Sequence, residues 1–163
     1  MKSFHRVFNN AGFTVMELVL YMGLLLILLT ILSQLFTASI ETHVESQQFS
    51  YVQQDGRYIM NRLTYDIQQA SSVTTPSALG GSGSTLAIVI GGITYTYSLT
   101  SGNLLVNGTR LNGFDTTISN LTFQKLGNSG GKPTVKFSYT VTGLTPLNGQ
   151  NEVKNYTSTA GLK

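Results

Sequence analysis

Glu17 is the residue whose type and position most directly suggest chemistry. It is the one charged residue in the apolar run 11–36. A charge at the centre of a bilayer costs roughly 2.5–3.5 kcal/mol and less near the interface, so a carboxylate in such a run needs a partner or a function. An ammonium beside it in an apolar bundle would make both charges tolerable. The alternative is a carboxylate solvated by lipid headgroups.

The other reactive side chains do not form a catalytic or metal-binding pattern. The chain has no cysteine, which excludes disulfides and thiol chemistry. Its two histidines, His5 and His43, flank the apolar run and have no evident base partner. Asp55, Arg62 and Asp66 fall near one side of a predicted helix, where Arg62 and Asp66 are four residues apart and can pair. The sequence therefore predicts no enzyme, no cofactor and no metal.

A membrane-spanning helix is the element that must position Glu17. Residues 18–36 carry no formal charge and, at about 1.5 Å per residue, are long enough to cross a bilayer core of roughly 30 Å. Lys2 and Arg6 precede this run, and the first charges after it are acidic. The positive-inside rule then places the N-terminus in the cytoplasm and the chain after about residue 37 outside. We therefore expect a single-pass protein of the cytoplasmic membrane.

The helical pattern continues beyond the membrane segment. Residues 37–71 have apolar side chains at spacings of three, four or seven, with polar side chains between them. No proline occurs before Pro76, so one helix from about 13 to 71 is predicted, with 37–71 as an amphipathic stem. Gly56 is its weak point, either as a bend or as a tolerated glycine. The stem residues that we expect to be buried are Phe49, Val52, Ile59, Leu63 and Ile67.

Three tyrosines recur every seven residues along this stem. Tyr51, Tyr58 and Tyr65 form one stripe on its surface. Tyrosine favours interfaces, so the stripe is a candidate contact surface for partner subunits. The alternative is a half-buried flank against the chain's own sheet.

After the stem, the spacing of apolar residues changes from the period of a helix to that of a strand. Residues 72–84 lack periodicity and are predicted to be a linker, whereas 85–163 alternate apolar and polar side chains between glycine and asparagine turns. We expect an antiparallel meander of five to seven strands, covered on one face by the stem, in an α+β fold. The strand residues predicted to meet the stem are Ile93, Tyr95, Val135, Phe137 and Tyr139.

A glycine, an aromatic residue and a carboxylate stand at set spacing beside the apolar run. They are Gly12, then Phe13 and Glu17 in "FTVME", behind a short basic leader. This pattern resembles the class III signal of type IV pilins and type II secretion pseudopilins, and the order of long helix, linker and sheet is also similar to that family. The resemblance implies a pilin-like fold and a leader of residues 1–12, cut between Gly12 and Phe13 by a prepilin peptidase. It also implies an N-methylated Phe13 whose ammonium, in a neighbouring subunit, pairs with Glu17.

The resemblance further implies a place in a filament. The partners would be other pilin or pseudopilin subunits, the inner-membrane assembly platform and membrane lipid, and the β domain (85–163) would lie at the surface or in the periplasm after assembly. The segment 57–73 resembles the stem end of minor pilins and J-type minor pseudopilins. Gln34 stands where many major pilins carry a proline, which also favours a minor subunit.

Two other functions stay open at the level of sequence. One is an adhesin or DNA-binding pilin of a competence or adhesion pilus, and the other is a membrane-anchored domain that does not polymerise. The last third of the chain carries more lysine and arginine than acidic residues. However, Lys136 alternates with Phe137 and Tyr139, which is the pattern of a solvent face and a core rather than of bases stacked on aromatic rings. The pattern therefore does not favour nucleic acid as a partner.

Overall fold

A computed structural model describes residues 14–146 and 150–163 and, for Glu45, only the backbone. The chain divides into two compact units, with the boundary between Thr42 and His43. Helix α1 (Val15–Gln69) begins in the first unit and ends in the second. The strands follow in chain order as β1 (Ser72–Thr75), β2 (Ser82–Gly83), β3 (Leu86–Ile90), β4 (Ile93–Thr100), β5 (Asn103–Val106), β6 (Thr109–Arg110), β7 (Thr116–Leu126), β8 (Thr134–Gly143) and β9 (Val153–Gly161).

The first unit consists of the N-terminal part of α1. Every described side chain from 14 to 42 is exposed, including all the apolar ones. The helix is long and apolar enough to cross a membrane near the N-terminus of the chain. Such a surface is stable where lipid or other apolar helices surround it.

The second unit packs the rest of α1 against two antiparallel sheets. The first sheet has the strand order β1-β3-β4-β5-β6, and the second has the order β2-β7-β8-β9. The α+β class is therefore as predicted. The prediction of a single meander is wrong, because the structure has two sheets. The chain leaves the first sheet after β6 and starts the second at β7, and β2 pairs with β7 rather than with its neighbours in sequence.

The core of the second unit lies between the stem and both sheets. Its stem side is formed by side chains that recur at helical spacing, and its sheet side by alternate residues of the strands, as the two periods predict. The wholly buried stem residues are Val52, Ile59, Leu63 and Ile67, and the buried strand residues include Leu86, Ile88, Tyr97, Phe123, Val135, Phe137, Tyr139 and Val141.

Two residues predicted to be buried are exposed. Phe49 is 49% exposed, because the helix instead turns Gln48 and Val52 toward the core at that level. The Lys154 ammonium lies 5.6 Å from the centre of the Phe49 ring and covers part of it. Ile93 is also exposed, since it pairs with Ile90 at the end of the β3–β4 hairpin.

The segment predicted as a linker contains two short strands. Val73 in β1 is buried, and the hydroxyl groups of Ser71 and Thr74 donate hydrogen bonds of 3.0 Å to the carbonyl oxygens of Val89 and Ala87. Backbone pairing with β3, this apolar side chain and these hydroxyls attach β1 to the first sheet. One buried valine is too weak a pattern to predict a strand.

Candidate functional site

The N-terminal end of α1 places Glu17 in the first helical turn. Thr14 caps this turn: its carbonyl oxygen accepts the N–H groups of Glu17 and Leu18 at 3.0 and 3.1 Å, and its hydroxyl oxygen lies 3.3 Å from the Glu17 nitrogen. Thr-x-x-Glu is the capping-box pattern, and a carboxylate also complements the positive end of the helix dipole. Sequence reasoning missed this cap, although the four letters were enough to find it.

The partner predicted for Glu17 lies outside the described residues. Gly12 and Phe13, the predicted peptidase cleavage site and methylation site, precede residue 14, where the described chain begins. Glu17 itself is exposed, so its carboxylate is available to a group outside the described chain.

Three threonines in the N-terminal part of α1 bond their hydroxyl groups within the helix. The hydroxyls of Thr30, Thr37 and Thr42 each donate to the carbonyl oxygen four residues earlier, at distances of 2.8 to 3.0 Å. A hydroxyl bonded within its helix is compatible with lipid, where an unsatisfied polar group is costly. These three hydroxyls are therefore compatible with a helix surrounded by lipid.

The tyrosine stripe of the stem is exposed. Tyr51 is 38% exposed, Tyr58 is 49% exposed and Tyr65 is 60% exposed. These rings therefore lie outside the core that the stem forms with the sheets. Such exposure leaves them accessible, as the contact-surface interpretation requires.

Asp66, on the same helix, is almost completely buried and joins the stem to the first sheet. It accepts a hydrogen bond of 2.8 Å from Arg62 Nε, as predicted, and a second from the hydroxyl of Tyr97 in β4. Burial, and then the bond to Asp66, raise the pKa of the Tyr97 hydroxyl above its ordinary value. The hydrogen bonds with Tyr97 and then Asp66 raise the pKa of Arg62. The carboxylate thus holds α1 against β4.

Asp55, about three helical turns before Asp66 on α1, has a similar role at the β6–β7 connection. Its carboxylate accepts the N–H of Gly113 at 2.7 Å and the hydroxyl of Thr116. The Arg110 guanidinium donates to the carbonyl oxygens of this loop and lies 4.8 Å from the ring centre of Phe114. Phe114 is therefore presented to solvent by a well-bonded loop. Among residues 14–146 and 150–163, no three acidic or histidine side chains converge on a metal site.

Two lysines of the last third have different surroundings. Lys136 is exposed, whereas Phe137 and Tyr139 are buried in the core, as their alternation predicts. The Lys125 ammonium donates to the carbonyl oxygens of Val73 and Ser77 at 2.9 and 3.1 Å, so this cation holds a loop of its own chain. The buried rings of Phe137 and Tyr139 are therefore not accessible for stacking beside Lys136.

Comparison of the chain with models of protein families, with curated proteins and with solved structures gives no match. The molecule places a carboxylate in the first turn of an exposed apolar helical segment, which continues as the stem of an α+β unit.

Proposed function

We propose that this chain is a prepilin-like structural subunit. It is cleaved and N-methylated by a prepilin peptidase and assembled, as a minor component, into a type IV pilus or a type II secretion pseudopilus. The observation that carries the proposal is Glu17, an exposed carboxylate in the first turn of a long helix whose N-terminal part is apolar and exposed. The sequence before it supplies the glycine and phenylalanine at which a prepilin peptidase cuts.

The proposal gives each part of the molecule a role. The apolar segment holds the subunit in the cytoplasmic membrane before assembly and packs with the segments of other subunits afterwards. In that bundle an unpaired carboxylate would be costly, and the ammonium of a neighbouring Phe13 removes the cost by pairing with it. The stem and sheets form a stable unit that the helix carries outside the membrane.

Processing is the step that tests this function. The full chain is produced in cells that make a prepilin peptidase, and its N-terminus is determined by mass spectrometry. We expect a chain that begins at Phe13 and is about 14 Da heavier than the unmodified product, because of one methyl group. Recovery of chains that still begin at Met1 would overturn the proposal.

Two variants make the cleavage test specific. Gly12→Leu places a bulky side chain at the bond to be cut and should leave the leader attached. Ala11→Ser is a small change at the neighbouring residue and should leave cleavage intact. Equal cleavage of both variants would argue for a protease that does not read the glycine.

A further inference from the structure

β9 forms one edge of the second sheet, and its hydrogen bonds show which backbone groups are free. The N–H of Gly143 donates to the Glu152 oxygen at 2.9 Å, and the N–H of Leu162 donates to the Pro133 oxygen at 3.2 Å. In an antiparallel pair the bonded residues alternate, so the even-numbered residues between these two bonds face β8. The odd-numbered residues direct their N–H and C=O groups away from the sheet: Val153, Asn155, Thr157, Thr159 and Gly161.

This edge has few of the features that protect an edge strand from pairing. No hydrogen bond to another part of the described chain satisfies the five outward N–H groups. β9 is 9 residues long, contains no proline and carries one charge, Lys154, whereas the other edge strands have two to four residues. Long, unbulged and weakly charged edges accept an additional strand.

The charges near this edge specify the chemistry of such a strand. Lys136 and Lys163 are exposed, and Lys154 lies on the strand itself. Burial raises the pKa of the Tyr156 hydroxyl, and Arg57 and Glu152 lie close enough to lower and to raise it, respectively. Among the described side chains near this strand, these four cations therefore stand against the Glu152 carboxylate, which favours an acidic partner. The half-exposed ring of Phe49 beside Lys154 adds an apolar contact.

The direction of β9 argues against antiparallel pairing with the β9 of a second copy of this chain. β9 runs alongside the stem. The Tyr156 hydroxyl donates to the Val52 oxygen at 3.2 Å, and the N–H of Lys163, just beyond the strand, donates to the Gln68 oxygen. Antiparallel pairing of β9 with β9 would therefore direct two stems oppositely. Two chains anchored in one membrane, as the proposed function requires, enter their stems from the same side.

We propose that the free edge of β9 binds an extended, acidic segment of another polypeptide by strand addition. The exclusion of a second copy rests on the proposed function, but the binding itself does not. The added strand would bond to the outward groups of the odd-numbered residues. Its alternate side chains would meet Lys136 on one face and Lys154 with Phe49 on the other.

The test measures amide hydrogen exchange by NMR on the full chain in detergent. The probe is a synthetic nine-residue peptide that alternates valine and glutamate, and its counterpart alternates valine and lysine. We expect the valine–glutamate peptide to slow exchange at Asn155, Thr157 and Thr159 by about tenfold or more, because these amides become hydrogen-bonded. The lysine peptide should leave them unchanged. Equal protection by both peptides, or no protection by either, would overturn the proposal.

A pair of variants separates strand addition from other contacts. Thr157→Pro removes one outward N–H and is compatible with an edge position, whereas Thr157→Ala keeps the N–H. We expect the alanine variant to bind as the unchanged chain does and the proline variant to lose the protection. If the proline variant does not fold, Lys136→Glu replaces it, and weaker binding of the acidic peptide is then expected.

Two results would contradict the choice of partner or site. Undiminished binding by Thr157→Pro or by Lys136→Glu would place the peptide elsewhere. Protection of the same amides that rises with protein concentration in the absence of peptide would identify a second copy as the occupant. Neither result depends on cleavage at Gly12, so the failure of this proposal and that of the proposed function are distinguishable.

Discussion

The ring of Tyr156 lies in the space that a side chain on Gly56 would need. A Cβ built on this glycine would overlap three atoms of the tyrosine, including its hydroxyl oxygen. Tyr139 stacks on Tyr156 with 5.4 Å between ring centres, and its hydroxyl donates to the Gly56 oxygen at 2.6 Å. The glycine therefore allows the stem to approach the second sheet closely, and it is neither a bend nor merely tolerated.

Gly56→Ala should destabilise the second unit. Alanine favours the helix by about 1 kcal/mol, but overlap with a buried ring forces the helix or the strand to move, which typically costs about 1–3 kcal/mol. We expect a lower urea midpoint for the full chain in detergent, followed by near-ultraviolet circular dichroism of the tyrosines.

Gly23→Ala is the matched control for this prediction. Gly23 is also helical, but a Cβ there would meet no described atom within 4 Å. Its replacement should leave the urea midpoint of the second unit unchanged. Equal effects of the two substitutions would show that the close approach at Gly56 does not limit stability.

These contacts also show where prediction from sequence stops. The alternation of Val135, Phe137 and Tyr139, and the three- and four-residue spacing of the stem, predict which side chains are buried, because each period maps directly onto one face of an element. They do not predict that Tyr156, a hundred residues along the chain from Gly56, is the ring that meets it. That pairing depends on sheet order, which alternation does not encode.

The division into two sheets was unpredictable for the same reason. β4 and β8 have similar alternating patterns, yet they lie in different sheets. By contrast, the Arg62–Asp66 pair follows from local spacing and was predicted. The addition of Tyr97 to that pair is again a contact between distant segments. Local periodicity therefore predicts which face of each element is buried, but the residues that this face contacts depend on tertiary packing.

Truncation of Leu63 should be far more damaging than truncation of a neighbouring polar residue. Leu63 is wholly buried between the stem and the sheets, so Leu63→Ala leaves a cavity and should lower the free energy of unfolding by about 2–5 kcal/mol. Gln53→Ala, at a partly exposed position of the same helix, should be nearly neutral. Urea unfolding of both variants measures the difference. Similar losses would mean that the stem is not held by the face assigned to it.

Stability should fall at alkaline pH because of the buried tyrosines. Burial raises the pKa of Tyr97 and Tyr139 above their ordinary value in the folded chain. The stabilising contribution of each is complete below the ordinary pKa of about 10 and is lost as pH rises above it, because the unfolded chain then binds fewer protons. We expect each group to add a slope of about −1.4 kcal/mol per pH unit to the free energy of unfolding.

Tyr97→Phe isolates the contribution of one hydroxyl. Phenylalanine keeps the ring but cannot ionise, so the alkaline slope should become shallower while the variant is less stable at neutral pH, where Asp66 has lost a donor. Tyr65→Phe, at an exposed position, should leave the slope unchanged. The measurement is urea unfolding at a series of pH values between 8 and about 11. An unchanged slope for Tyr97→Phe would assign the alkaline loss to other groups.

Glu17→Leu should separate membrane insertion from assembly. Removal of the charge favours insertion into lipid, and the leader should still be cut. Assembly should fail, because the Phe13 ammonium of a neighbouring subunit would be left unpaired in an apolar bundle. The measurement is fractionation of cells that express the whole assembly system, comparing the cleaved membrane pool with sheared surface filaments.

Because Thr14 and Glu17 also form a capping-box pattern, the experiment needs a variant that keeps the cap and removes the charge. Glu17→Gln does this, since glutamine serves equally at that position of the cap. If charge pairing matters, Glu17→Gln should be absent from the filament fraction like Glu17→Leu, with a normal cleaved pool. Glu17→Asp, whose charge is kept on a shorter side chain, should give an intermediate yield. If Glu17→Gln enters filaments at the level of the unchanged chain, the role of the Glu17 side chain is helix capping rather than charge pairing. If Glu17→Leu also enters filaments, Glu17 is only a residue at the level of the lipid headgroups.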